Sequence, residues 1–333
     1  MRHGWATGLA LIFFAASAGA DTPPSVWSRA RDPEAALAYD VHEQVQRRLA
    51  VLRDGSERID ERDLRAVLPI LQHAQAETSK SALLRFDLAF VYYELKDYTR
   101  AAAIYRSAIK DFPDHPSTER AWLLLAFACG HFGDNACERD SYTKVLELET
   151  VEVLRATPSL NLAETQMHLG NLREAVEGYR EVVRIAGREA SREVAPLAFW
   201  GLAIALDRSG DRVEAEKAAR LAINVEKSMG SDFLHDPQTS FFVPIYEIHW
   251  YEALGFVAQA RGATTSREAL TFWSMAEAAY GKFVKAAEPK NDRWLPIAKA
   301  RFTQVQAERK RAEKSAAREP TPPFHGEDGD LHL

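Results

Sequence analysis

Apolar positions along this chain recur with a helical period, and the helices they imply come in pairs. Leu84, Leu88, Val91, Tyr92 and Leu95 fall at the three- and four-residue spacing of one helix face. The polar pair Lys96-Asp97 interrupts that stripe. Tyr98, Ala101, Ile104, Tyr105, Ala108, Ile109 and Phe112 then form a second one, which Pro113 ends. Two amphipathic helices joined by so short a link fold back antiparallel, so the segment predicts a helical hairpin. A large residue followed by a small one marks the first helix of each such unit: Leu88-Ala89, Leu125-Ala126, Leu162-Ala163, Leu202-Ala203 and Leu254-Gly255. Spacings of 37, 37, 40 and 52 residues between these anchors predict a stacked array of helix pairs with insertions between units.

The small residues have a packing role. Ala89, Ala101 and Ala108 stand where paired helices must approach closely, and Tyr92 and Tyr105 fill the wider gaps. Gly170-Asn171 and Gly210-Asp211 supply a left-handed C-cap followed by the next N-cap. The second unit departs from the pattern, because Glu138 stands where the first has Ala101. In the fifth, Arg261-Gly262-Ala263-Thr264-Thr265-Ser266 lengthens the turn.

The unit at 82–113 resembles a tetratricopeptide repeat. That family uses helix pairs of about 34 residues, with small side chains at the eighth, twentieth and twenty-seventh positions and large ones at the seventh, eleventh and twenty-fourth. Counted from Ala82, the residues Leu88, Ala89, Tyr92, Ala101, Tyr105, Ala108 and Pro113 match. The resemblance implies an all-α, tetratricopeptide-type α-solenoid of antiparallel helix pairs coiled as a right-handed superhelix. About five repeats, the last irregular, are expected over 81–290.

Ahead of them, 21–80 reads as an N-terminal helical cap or degenerate repeat. Its first helix starts at Asp32-Pro33-Glu34 and runs to about Arg53; its second runs from near Asp60 to about Glu77. A C-terminal capping helix is expected over 291–314. A disordered tail is expected over 315–333, rich in proline, glycine and acids.

The resemblance also implies a concave surface lined by the first helix of each unit. Carried over, the positions are Phe86, Phe90 and Tyr93; Arg120, Phe127 and His131; Glu164 and Met167; Trp200, Ile204 and Arg208; and Phe256. Aromatic side chains among polar ones suit a groove for another protein or a peptide segment. Packing of Phe86, Phe90 and Phe127 against the N-terminal helices is the alternative. A subtype of the family clamps a C-terminal carboxylate with lysine and asparagine. It is not expected here, because the fifth positions (Phe86, Leu123, Leu160, Trp200, Glu252) include no lysine.

A net charge of -6 argues against a general nucleic-acid binder. Arg2 and His3, the apolar run from Leu9 to Ala16 and the small residues Ala18-Gly19-Ala20 read as a secretory signal over 1–20, cleaved after Ala20. An exported, periplasmic or secreted protein without stable membrane insertion is therefore expected. Cys129 and Cys137 are eight residues apart across a predicted hairpin turn. In an oxidising compartment they can bridge two antiparallel helices; two free thiols are the alternative.

No nucleophile motif, phosphate loop or zinc-helix signature accompanies the histidines. His235 and His249 flank an apolar stretch with Asp232, Asp236 and Glu247 near them in sequence, a pattern that invites a general-base or metal role. His325, Glu327, Asp328, Asp330 and His332 crowd the tail without fixed geometry. No catalytic residue, metal or cofactor is assigned. The reading is a non-catalytic interaction scaffold or adaptor of the cell envelope. Its alternatives are a structural subunit of an oligomeric envelope complex and a metal-dependent enzyme centred on His235 and His249.

Overall fold

The computed structural model describes residues 23–51, 61–186, 194–230, 232, 234–235 and 244–319. The expected signal segment and the histidines of the tail lie outside them. Among the described residues there are fourteen α-helices and no strand. A short α1 (Val26–Arg31), which the sequence did not signal, precedes α2 (Pro33–Val51) and α3 (Glu61–His73). Five hairpins follow: α4 (Ala82–Glu94) with α5 (Tyr98–Asp111), α6 (Thr118–Phe132) with α7 (Asn135–Leu148), α8 (Ala156–Leu169) with α9 (Leu172–Ala186), α10 (Val194–Ser209) with α11 (Arg212–Met229), and α12 (Ile248–Gly262) with α13 (Ser266–Ala287). The last helix is α14 (Leu295–Ala316). This is a tetratricopeptide-type helical solenoid.

Four hairpin turns use one device. Asp97, Asp134, Asn171 and Asp211 each donate a backbone N–H to a carbonyl five residues back, on Tyr92, Cys129, Gln166 and Leu206. The residue before each is left-handed: Lys96, Gly133, Gly170 and Gly210. This closes the first helix in a Schellman motif. The three aspartates then cap the next helix, accepting from the backbone N–H groups of Arg100, Cys137 and Glu214. One residue thus ends one helix and starts the next.

Stacking follows from the small residues. Ala89, Ala101, Ala108, Ala175, Ala203 and Ala215 are wholly buried. Tyr105, Tyr142 and Tyr179, equivalent positions on successive second helices, are buried as well. Tyr142 OH accepts from Asn161 Nδ2 of the next unit at 2.9 Å. The Tyr179 ring fills the space left by the missing side chain of Gly201. Two apolar cores result, one drawn from α2 to α6 and one from α8 to α14. The intervening α7 contributes only Tyr142 and Val145 as buried apolar side chains, and neither core includes them.

Several boundaries differ from expectation. The helix expected to reach about Glu77 ends at His73, and a 3-10 turn over Ala76–Thr78 follows left-handed Gln75. The expected tail begins too early: α14 runs to Ala316, and Glu319 accepts from the Arg267 backbone N–H at 3.1 Å.

Candidate interaction surface

The first helices of the five hairpins carry the residues expected to line a groove, and packing divides them. Phe86, Phe90 and Tyr93 belong to the N-terminal core, which includes Ala38, Val45 and Leu49 of α2. A polar latch holds α2 there: His42 Nδ1 lies 2.6 Å from Asp87 Oδ2, and Gln46 donates to Asp87 Oδ1 at 2.7 Å. Met167 and Ile204 have no exposed surface, and Trp200 and Arg208 have almost none. Trp200 donates its indole N–H to Glu226, and its ring tip closes on Gly255. These seven are interior side chains rather than groove walls, because the helices nest closely enough to cover them. Arg120, Phe127, His131, Glu164 and Phe256 remain half-buried with accessible faces. Arg120 lies over the Phe90 ring, Phe127 meets Tyr142 edge-on, and His131 stacks on Tyr98 at 4.0 Å.

Beneath this surface lies a charged network that the sequence reading missed. Asp207 accepts from Arg301 Nε at 2.7 Å and from the Trp250 indole N–H at 2.9 Å, while its backbone carbonyl accepts from Arg301 Nη2 at 2.7 Å. Arg208 pairs with Glu247, and its guanidinium is sandwiched between the rings of Trp250 and Trp294. Arg293 donates to the carbonyl of His168, capping the end of α8 from 125 residues away. Tyr246 donates to Asp292 at 2.8 Å. The start of α14 is therefore strapped across the C-terminal ends of α8 and α10. The available signal was Arg301, a charge inside the stripe Ala298, Phe302 and Val305.

Burial sets the protonation of this region. It pushes the Glu164 carboxyl up to about 7, with the charge of Glu247 adding and Arg208 opposing. Burial and the charge of Arg208 hold His168 down at about 4. Glu138, at the slot where other units carry alanine, is accommodated by Gly130: a Cβ there would lie 2.8 Å from Glu138 Oε1. Burial, then the charge of Glu164, pushes Glu138 up to about 8.

Cys129 and Cys137 form a disulfide joining α6 to α7. With Asp134 they place three potential ligand atoms within 4.8 Å, but each sulfur is bonded to the other. His235 is held between Asp232 and Glu252, and His249 also contacts Glu252. A cleft of about 20 Å³ beside Asp207, Arg261 and Gln304 has room for little more than water. No described helix is long and apolar enough to cross a membrane.

Antiparallel helix pairs with nested alanines, four turns of one design and a closing last helix define a protein of the repeat-solenoid class. Sequence comparison agrees over part of the chain: the family model of the tetratricopeptide repeat matches residues 58–127. The matched stretch takes in α3, ahead of Ala82. No curated protein matches the chain. Among solved structures, the apo form of RapI is similar in fold, with a TM-score of 0.52 at 13% identity over 83% of this chain and 99% of that one. MamA from Desulfovibrio magneticus RS-1 is similar over 58% of this chain and 98% of its own, at 15% identity and a TM-score of 0.46. Kinesin light chain repeats from Podosopora anserina align over 58% of this chain and 97% of theirs, at 19% identity and a TM-score of 0.45.

Proposed function

We propose that this protein is an exported, non-catalytic adaptor that holds a protein or peptide segment along the first helices of its repeats. One observation carries the reading. At inner positions of α6, α8 and α12, Arg120, Phe127, His131, Glu164 and Phe256 keep accessible faces while their neighbours are sealed in the core. Half-buried aromatics flanked by charge give a partner apolar anchors and a fixed register. Export to the envelope is supported by the leader-like N-terminus and by the disulfide between α6 and α7, which is at home in an oxidising compartment.

Capture of partners from an envelope extract tests this reading. Phe127→Ala with Phe256→Ala should remove the captured protein while leaving the helical signal intact. Unaltered recovery on a folded double variant refutes the surface. Export is tested separately by cell fractionation, with a mature chain beginning at Asp21 as the expected result. The second reading, an oligomeric subunit, draws on Val26, Trp27 and Leu37, apolar side chains largely exposed on α1 and α2. Light scattering of the purified chain separates the two.

A further inference from the structure

Four turns of this solenoid share one design, and a single one of them carries a covalent bond as well. The turns at Asp97, Asn171 and Asp211 close on backbone hydrogen bonds. The turn at Asp134 closes in the same way: its N–H donates to the Cys129 carbonyl at 3.0 Å, and its side chain accepts from the Cys137 N–H at 3.1 Å. The chain's two cysteines are bonded across this already closed turn. The hairpin is therefore set without the disulfide, and the bond can open while α6 and α7 stay paired.

The two sulfurs stand in different surroundings. Cys129 is wholly enclosed in the N-terminal core, whereas Cys137 keeps an accessible face at the start of α7. A thiolate from solution can reach the bond in the folded chain from the Cys137 side alone. Arg106 on α5 directs Nη2 at Cys129 Sγ, 3.7 Å away, and a guanidinium there favours a sulfur that carries negative charge. Cys137 is the third residue of α7, where the free N–H groups of the first turn act in the same sense. Asp134 opposes both effects, and its carboxylate holds the same Arg106 Nη2 at 2.8 Å. Surroundings that favour the thiolates stabilise the reduced form and make a disulfide easier to open.

We propose that Cys129–Cys137 is an exchangeable disulfide, attacked at Cys137 by the thiolate of a dithiol reductant. The incoming sulfur bonds to Cys137 Sγ, the Cys129–Cys137 bond breaks, and its electron pair leaves on Cys129 Sγ beside Arg106. The second thiolate of the reductant then attacks its own partner sulfur in the mixed disulfide. Cys137 leaves as a thiolate at the start of α7, and the reductant departs as a disulfide, having passed two electrons to the protein. The exchange site adjoins the inner surface: Phe127 and His131 flank Cys129 on α6, and Glu138 follows Cys137. The proposal stands independently of the adaptor reading.

Reduction of the folded full-length chain by dithiothreitol, read by alkylation and mass spectrometry, tests it. The rate should be flat in urea up to the start of the unfolding transition. Reduced glutathione, a single-thiol probe, should be found on Cys137 after a rapid acid quench. Arg106→Met should slow reduction by about threefold or more, and Arg106→Lys should restore much of the rate. Asp134→Asn keeps a capping side chain, removes the opposing charge and should speed reduction by a similar factor. A bond that only braces the hairpin predicts the reverse for Arg106→Met, because a loosened turn opens faster. Circular dichroism verifies that each variant folds. A rate that tracks the unfolded fraction would overturn the proposal. So would glutathione on Cys129, or an Arg106→Met variant reduced as fast as the parent.

Discussion

Glu138 stands where other units carry the wholly buried Ala101, Ala175 and Ala215, and burial moves its titration to about 8 from an ordinary 4.5. Between those limits the folded chain keeps a proton that the unfolded chain releases. The contribution of Glu138 to stability is therefore complete below about pH 4.5 and declines as pH rises, levelling off above about 8. At about 1.4 kcal/mol per pH unit, the loss is about 3 kcal/mol at pH 7 and about 4 kcal/mol at pH 8, approaching about 5 kcal/mol above it. Glu138→Gln keeps the shape and cannot ionise. Its stability relative to the parent should be near level at pH 4.5 and rise with that slope toward pH 8. Urea unfolding followed by far-ultraviolet circular dichroism from pH 4.5 to 9 measures the difference, in which carboxylates that do not sense Glu138 cancel, and repeating the pair in a Glu164→Gln background removes the one that does. A parent and variant that track each other across the whole range would refute the burial argument.

Three further outcomes follow from packing. Arg301→Met strands the buried Asp207 carboxylate and should cost about 3–5 kcal/mol, with part regained on adding Asp207→Asn; thermal unfolding measures both. Gly201→Ala sets a methyl group 2.2 Å from the Tyr179 ring and should destabilise by about 1–3 kcal/mol, less in a Tyr179→Leu background. Reducing the Cys129–Cys137 bridge, which spans eight residues, should lower stability by about 2.5 kcal/mol on the chain-entropy argument, read as a drop in urea midpoint with reductant.

The hairpins were legible because everything that makes them is local. Asp97, Asp134 and Asp211 act on backbone groups within five residues, and the alanine and tyrosine positions follow from the helical period. The inner face was legible only in part. Positional matching names the residues that point inward, but Ile204 and Met167 are sealed by neighbouring helices while Phe127 and Phe256 are not. That difference depends on how closely successive units nest. Glu138 was visible as an anomaly in sequence; its partner Gly130, on the facing helix, was visible only as an ordinary glycine.

Short-range chemistry thus dictates the paired helices, their turns and the order in which they stack, since caps and apolar stripes act over a few residues. Long-range contacts decide what faces solvent. Arg301 reaches Asp207 across 94 residues and Arg293 reaches His168 across 125, and Asp232-His235 meets His249-Glu252 only because α11 and α12 lie side by side. No local pattern encodes those meetings. They follow from the way the stacked helices bend the chain back on itself.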